Sequence, residues 1–194
     1  DGHQTTSGGS DFFVFFKEAF LVKFDSNGQI LWGTFYGGAA DDFGRDLAID
    51  MQNNVYMTGM TESTNNIATL GSYQDTLNGT YDAFLVKFNT NGVRQWGTYF
   101  GGINSDKSMD LGIDGQGDIY IAGYTSSDEL PTSYGYQPDY GGGSDDGLLV
   151  KFNNNGELLW ATYYGGSEYD VAAALALDIN GNVYLSGGTQ SFNN

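Results

Sequence analysis

Acidic residues at a fixed spacing are the first feature of this sequence that could do chemistry. Asp42, Asp106 and Asp170 follow one another at intervals of 64 residues, each in a polar loop before an apolar stretch. Carboxylate oxygens gathered on one rim of a protein are ligands that Ca²⁺ accepts. Alternatively, each Asp caps its own loop by accepting hydrogen bonds from backbone N–H groups. No stretch has the ligand spacing of an EF-hand, so we favour capping, keep calcium as the alternative, and expect no other cofactor.

Three of the seven basic residues recur at the same interval, inside apolar runs such as Phe-Leu-Val-Lys-Phe: they are Lys23, Lys87 and Lys151. An ammonium group that is buried must be paired with an acid. Candidate partners are the acids at 50, 114 and 178, or those at 18, 82 and 146. We therefore expect a structural ion pair in every repeat.

Aromatic residues fall into two groups that predict different roles. Trp recurs once per repeat at a constant spacing, which favours a packing role: the three are Trp32, Trp96 and Trp160. Several Tyr residues lie instead in the long polar loops, where their ring faces could stack on sugars or anchor the loops. These ligand-binding candidates are Tyr73, Tyr134, Tyr136 and Tyr140. Groups for catalysis are scarce, because the chain has no Cys and its single His3 lies in a polar tail without triad partners.

Composition excludes several classes of partner. The chain of 194 residues has a formal charge of −17, which opposes binding to nucleic acid and to anionic membrane surfaces. No run of about 18 apolar residues is present, so we expect no membrane insertion. The absence of Cys excludes disulfides and thiolate metal sites. Because the chain starts at Asp1 without Met, we expect a processed or partial product.

The elements that position these residues are short strands in a 64-residue repeat. Each repeat contains two hairpins, one of them with an Asn-Gly turn, and no segment of helical period. Four antiparallel strands per repeat predict an all-β fold, a β-propeller of four-stranded blades. Small residues between apolar ones predict the innermost strands, where the blades converge: Ala48, Gly112 and Ala176.

The repeat also predicts the domain organisation. We expect an outer half-blade at 18–38, blades at 44–100 and 108–164, and an inner half-blade at 170–189, all within propeller repeats covering 18–194. Residues 1–17 are expected to form a loose N-terminal segment or an extra edge strand. Three blades are fewer than the roughly four to eight of known propellers. The favoured interpretation is part of a larger propeller; the alternatives are assembly of several copies or an open array.

The stretch from Asp82-Ala-Phe-Leu-Val-Lys-Phe through Trp-Gly-Thr-Tyr-Phe-Gly-Gly to Gly-Tyr-Thr-Ser-Ser127 resembles the SBBP-type bacterial β-propeller repeat. The resemblance extends over nearly the whole chain from residue 18. Departures are modest, with Gly147 and Leu148 where the family has Ala-Phe and 68–71 where it has Pro-Thr. The resemblance implies a large secreted or surface-attached bacterial protein, often from Bacteroidota, and it implies no catalytic residues.

These observations predict a non-enzymatic, extracellular or cell-surface module that is structural or adhesive. It would bind protein or glycan through its loops, and its other partners would be further propeller blades or copies of itself. One alternative is a building block that completes its blades by oligomerisation. A second is a carbohydrate-binding or carbohydrate-active propeller, which would need acid and base residues converging in the channel, where the inner strands are mainly apolar.

Overall fold

The computed structural model describes residues 16–132 and 134–192, which form an all-β structure. Within these residues no helix has the length and hydrophobicity that a membrane crossing requires. The predicted segment 1–17 lies outside the described residues except for Phe16 and Lys17, and so does His3. The strands are β1 (Ala19–Phe24), β2 (Ile30–Tyr36), β3 (Asp42–Ile49), β4 (Val55–Thr61), β5 (Asp82–Phe88), β6 (Arg94–Phe100), β7 (Asp106–Ile113), β8 (Ile119–Thr125), β9 (Asp146–Phe152), β10 (Leu158–Tyr164), β11 (Asp170–Leu177) and β12 (Val183–Thr189).

The strands form two complete blades flanked by two half-blades. The complete blades are antiparallel sheets in the order β3-β4-β5-β6 and β7-β8-β9-β10, and the half-blades are the pairs β1-β2 and β11-β12. The prediction of an all-β fold with four-stranded antiparallel blades is therefore confirmed, although the blades do not close into a ring. The complete sheets begin at Asp42 and Asp106, two residues before the starts expected from the sequence.

The outer hairpin of each repeat is fixed by its Asn-Gly turn. Gly28, Gly92 and Gly156 have φ angles of 78°, 75° and 81°, which only glycine adopts readily. In the first turn the Asp25 carboxylate accepts hydrogen bonds from the N–H groups of Asn27 and Gln29, both at 2.8 Å. Local chemistry thus sets the strand register before any blade packs on another.

The apolar cores lie between blades. Leu21 and Tyr36 of the first half-blade pack with Phe84 and Phe88 of β5 in one buried cluster. The opposite face of β5 contributes Leu85 to a second cluster shared with the following blade. A strand in the middle of the array is therefore buried on both faces, and each blade is stabilised by the neighbours on which it packs.

The first copy of this strand departs from expectation. Both faces of β1 are apolar in sequence, which predicts that both are covered. In the structure Phe20 is 67% exposed, whereas its counterpart Phe84 is 0% exposed. The expectation is wrong for β1, because no described blade precedes it and only one face meets a neighbour.

Small residues lie on the innermost strands because neighbouring blades converge there, as the sequence predicts. A β-carbon placed on Gly112 would lie 2.6 Å from Leu175 Cδ1 and 3.1 Å from Leu177 Cδ1. The next inner strand therefore approaches β7 so closely that a larger side chain would have to displace it.

Candidate functional site

The three Asp residues predicted as a rim each begin an inner strand, and all three are buried. Their carboxylates accept hydrogen bonds from the second glycine of the preceding Gly-Gly pair. The donors are the N–H of Gly38 to Asp42 at 2.8 Å, that of Gly102 to Asp106 at 2.8 Å, and that of Gly166 to Asp170 at 2.7 Å.

Hydroxyl groups at the end of the following strand also donate hydrogen bonds to these carboxylates. Asp42 accepts from Thr61 at 2.5 Å and from Ser63 at 2.8 Å, and Asp106 accepts from Thr125 and Ser127 in the same manner. Each Asp thus ties its inner strand to the loop before it and to the end of the next strand. Across residues 16–132 and 134–192 no group of three or more His, Cys, Asp or Glu could hold a metal ion. The calcium prediction therefore rests on sequence spacing alone.

A second acid lies beside each of these Asp residues, which the sequence reasoning missed. A β-carbon placed on Gly101 would lie 2.7 Å from Asp82 Oδ1 and 2.8 Å from Asp106 Oδ2. The same arrangement places Gly165 between Asp146 and Asp170. The available signal was the constant spacing of 24 residues between the two acids. Each of these two blade junctions therefore buries two carboxyl groups around one glycine, one carboxyl from each of the neighbouring sheets.

Burial sets the protonation of these paired acids. It raises the pKa of Asp106 to about 6, assisted by the charge of Asp82 and opposed by the Thr125 hydrogen bond. Burial likewise raises the pKa of Asp146 to about 6, with the charge of Asp170 adding to it. At Asp170 burial also raises the pKa, but hydrogen bonds, first that of Thr189, outweigh it and leave the pKa lowered.

The three lysines do not share one environment. Lys151 Nζ lies 2.8 Å from an Asp118 carboxylate oxygen and 3.6 Å from one of Asp114, and it sits 4.8 Å above the Tyr120 ring centroid. Lys87 Nζ lies 5.1 Å above the Tyr56 ring. Among the described residues, Lys151 alone of the three forms an ion pair.

The expectation of an ion pair in every repeat is therefore wrong for the other two lysines. Next to Lys87, Asn54 stands where the following blade has Asp118. Burial acts to raise the pKa of Asp50, but hydrogen bonds, first those from Asn54, outweigh it and leave the pKa lowered. The charge of nearby Lys87 contributes a smaller part of that lowering. Lys23 belongs to a half-blade that has no inner strands within residues 16–132 and 134–192, and its Nζ donates to the Thr90 carbonyl oxygen at 3.4 Å.

Two of the three Trp residues pack across a blade junction, whereas Trp160 contacts a ring of its own blade. Trp32 Nε1 donates to the Thr90 carbonyl oxygen at 3.1 Å, and a β-carbon on Gly92 would lie 2.8 Å from Trp32 Cε3. Trp96 covers Gly156 of the following blade in the same way. Trp160 contacts Tyr120 edge-on, with ring centroids 6.1 Å apart.

The four loop Tyr residues divide into packed and exposed ones. Tyr73 stacks on Phe100 with centroids 6.1 Å apart, and Tyr140 meets Tyr163 edge-on at 5.7 Å. Tyr134 and Tyr136 are almost fully exposed. Tyr73 also lines an open groove of about 540 Å³ between its loop and the outer hairpin of the next blade, together with Gly71, Ser72 and residues 155–159.

Four-stranded antiparallel blades that pack face to face define a β-propeller repeat protein. The chain belongs to the SBBP family, described as a beta-propeller repeat, whose model matches residues 31–67, 95–131 and 159–194. These segments cover more than half of the chain. The resemblance read from the sequence is thereby confirmed.

Two curated relatives match the same region. The chain is 26% identical over 176 residues to the Regulatory protein FlaEY of Caulobacter vibrioides, which covers 88% of this chain and 18% of that protein. It is 24% identical over 200 residues to an uncharacterized WD repeat-containing protein, L264, of Acanthamoeba polyphaga mimivirus, covering 88% of this chain and 14% of that protein. The chain thus spans less than a fifth of the length of either relative.

Proposed function

We propose that this chain is a non-enzymatic scaffold of propeller blades that binds a glycan or a protein through its long loops. The observation that carries the proposal is the open groove beside Tyr73, where a loop and the outer hairpin of the next blade diverge. The hairpins repeat closely between copies, whereas the loops at 61–81 and 125–145 differ. Variable loops on a repeated scaffold are where binding groups are usually placed.

The chemistry of the groove suits a sugar or a polar peptide. Tyr73 is 41% exposed and is held by Phe100 and Phe152, so its ring is presented in a fixed orientation. Leu159 adds apolar surface, and Glu157 supplies hydrogen-bond acceptors. An aromatic ring with polar neighbours recognises the alternating apolar and hydroxyl surfaces of a carbohydrate.

The inner strands favour binding over catalysis. Leu47 and Ile49 of β3 are exposed apolar residues. The acid Asp46 accepts the backbone N–H of Leu111 at 2.8 Å, and Asp110 accepts that of Leu175 at 2.5 Å. These carboxylates link neighbouring inner strands, which gives them a structural use in place of acid-base work.

A location outside the cell or at its surface belongs to the proposal and follows from the resemblance to secreted repeat proteins. The charge of −17 supports a neutral or cationic partner rather than nucleic acid or anionic lipid. Fractionation of a native source followed by immunoblotting would test the location, and a cytoplasmic signal would contradict it.

A glycan array probed with the labelled 194-residue chain tests the binding role. We expect bound glycans whose affinity falls about two- to tenfold in Tyr73→Ala, because one stacking ring contributes about 0.5–1.5 kcal/mol. Tyr73→Phe should keep most of the affinity, and its retained ring controls for packing. Tyr134→Ala removes an exposed loop Tyr that does not line the groove, and we expect no change.

Three outcomes would contradict the proposal. Loss of affinity in Tyr134→Ala with none in Tyr73→Ala would move the site away from the groove. An array without any bound glycan would refute the carbohydrate form. Chemical conversion of a bound glycan, detected by mass spectrometry, would refute the non-enzymatic assignment.

A further inference from the structure

A second cavity lies next to the Tyr73 groove, at the same junction between the two complete blades. It has a volume of about 450 Å³ and is lined by the inner hairpin turns of both blades, at 49–52 and 113–117, and by Asn154. The Tyr73 groove begins at the next residue of the chain, Asn155. The outer turn that carries both Asn residues therefore lies between the two cavities. Complete four-stranded blades flank this junction, so neither cavity is created by an end of the array.

The outer turn is held in place by the preceding blade. The carbonyl oxygen of Asn154 accepts a hydrogen bond from Lys87 Nζ at 3.5 Å. A β-carbon placed on Gly156 would lie 3.1 Å from Trp96 Cε3, so the indole ring packs against the turn. Asn154 and Asn155 are themselves exposed. Their side chains are thus presented between the two cavities, on a turn that the neighbouring blade supports.

The sheet order gives the distance between the far ends of the two cavities. The inner turn of the second complete blade joins β7 to β8, and Leu159 of β10 lines the outer groove. Because the sheet runs in the order β7-β8-β9-β10, the cavities together extend over three strand spacings, about 14 Å. A pyranose unit is about as long as one such spacing, so about three linked units cover the distance, whereas a single sugar reaches only one cavity.

The inner cavity offers the polar groups that a carbohydrate requires. Gln52 and Gln116 occupy the same position of successive inner turns, and both are exposed. Their backbone N–H groups donate to Asp50 and Asp114 at 2.9 Å, so the turns are formed without the side-chain amides. A side-chain amide both donates and accepts hydrogen bonds, as a sugar hydroxyl does. These amides therefore suit a ligand that is rich in hydroxyl groups.

The charge of the site selects among glycans. Asp50 and Asp114 border the inner cavity, and Glu157 lines the outer groove. The nearby Lys151 is paired with Asp114 and Asp118. Because the chain also carries a formal charge of −17, a uronate or sulfate group would be repelled from both cavities. A neutral glycan is the class that fits.

We propose that the site takes a linear oligosaccharide of neutral sugar units, which stacks on Tyr73 and extends across the outer turn into the inner cavity. Such a ligand presupposes the glycan binding proposed above, and it adds to that binding a required length and charge. Gln116 and Asn154 then contact sugar units that lie beyond the reach of Tyr73.

Oligosaccharides of increasing length provide the first test. An array of linear glucose, mannose and N-acetylglucosamine chains, from the monosaccharide to the hexasaccharide, would be probed with the labelled 194-residue chain. Isothermal titration calorimetry then measures the affinities within the series that binds. We expect affinity to rise with each unit up to about three and then to level off, when the glycan spans both cavities. Oligomers of glucuronic acid should not bind.

Two variants test the inner cavity, and a third is their matched control. Gln116→Ala and Asn154→Ala should each weaken hexasaccharide binding about two- to tenfold, the effect of one lost hydrogen bond. The shortest glycan that binds should keep its affinity, because it occupies the Tyr73 groove alone. Asn180→Ala removes an exposed amide at the turn position of Gln116, outside both cavities, and should change neither affinity. Alanine retains the backbone N–H groups of Gln116 and Asn180 that form these turns, so circular dichroism spectra should not change.

The results separate the extended site from glycan binding at Tyr73 alone. The extended site is overturned if the monosaccharide binds as tightly as the hexasaccharide, or if Gln116→Ala and Asn154→Ala leave hexasaccharide binding unchanged. In both cases a loss of binding in Tyr73→Ala would leave the proposed function intact. Equal losses in Asn180→Ala and Gln116→Ala would also overturn the extended site, because the effect would not depend on the cavity.

Two further outcomes concern the class of ligand. Preferential binding of glucuronic acid oligomers would overturn the assignment to neutral glycans. An array without any bound glycan would overturn both the extended site and the carbohydrate form of the proposed function.

Discussion

Replacing Gly92 with Ala would measure how strongly one blade is held against the next. Gly92 has a φ of 75°, so any L-residue there pays for a left-handed conformation. The added β-carbon would also lie 2.8 Å from Trp32 Cε3 and 2.9 Å from Cζ3, so the ring or the hairpin must move. The loss of stability therefore has a local part and a part that arises only at the junction.

Gly117 offers a control in which the junction part is absent. Its φ is 87°, and a β-carbon there would meet its nearest neighbour, Asn154, at an ordinary 3.9 Å. We expect Gly117→Ala to reduce the free energy of unfolding by about 1–2 kcal/mol. Gly92→Ala should lose the same amount plus about 1–3 kcal/mol for overpacking against Trp32. Gly156→Ala, at 3.1 Å from Trp96, should fall between them.

Urea unfolding followed by circular dichroism measures these differences. Combining Gly92→Ala with Trp32→Ala should remove the excess over Gly117→Ala, because the ring that the β-carbon displaces is gone. The reasoning would be refuted if Gly92→Ala and Gly117→Ala cost the same, or if the excess persisted without Trp32.

Three other predictions concern the buried acids and the lysines. Because the folded-state pKa values of Asp106 and Asp146, both about 6, lie above the ordinary value near 3.9, the folded chain binds these protons more tightly than the unfolded chain. The free energy of unfolding should therefore rise as pH falls from 7 towards 4.5, with about 2 kcal/mol of the rise from Asp106. The rise should be smaller in Asp106→Asn. A urea midpoint that is lower at pH 4.5 than at pH 7 would contradict this. Thr125→Val removes a hydroxyl donor to Asp106 and should reduce the free energy of unfolding by about 1–3 kcal/mol at pH 7. An unchanged urea midpoint at that pH would disprove this. Lys151→Gln should lower the midpoint more than Lys23→Gln, since among the described residues only the first of these lysines is paired with acids, and equal effects would count against that difference.

Local structure follows from the sequence because short-range chemistry dictates it. The Asn27-Gly28 turn requires a positive φ, and the alternating residues that flank it can form only a hairpin. The 64-residue interval of Trp32 and Trp96 shows that the same unit recurs, and each unit has too little core to stand alone. The strand order within a blade followed from these facts together with the small residue Gly112.

Packing between blades was beyond the reach of the sequence pattern. Phe24 and Phe88 occupy the same place in the repeat, yet one is exposed and the other buried, because burial depends on whether a blade lies alongside. Lys151 has an ion pair and Lys23 has none within the described residues, because the inner strands that carry the acids are present in one blade and missing from the other.

The candidate sites show the same division. Spacing marked Asp106 as a residue of interest. Only the folded chain shows that its carboxylate accepts hydrogen bonds from Gly102 and Ser127 and lies beside Asp82. Tyr73 could be assigned to a loop, whereas the groove that it lines exists only where that loop meets the following blade. The sequence by itself determined the repeated unit, since turns and strand periodicity are local. The tertiary structure decided which copies of a residue are buried, paired or free, since those properties belong to the junction between units.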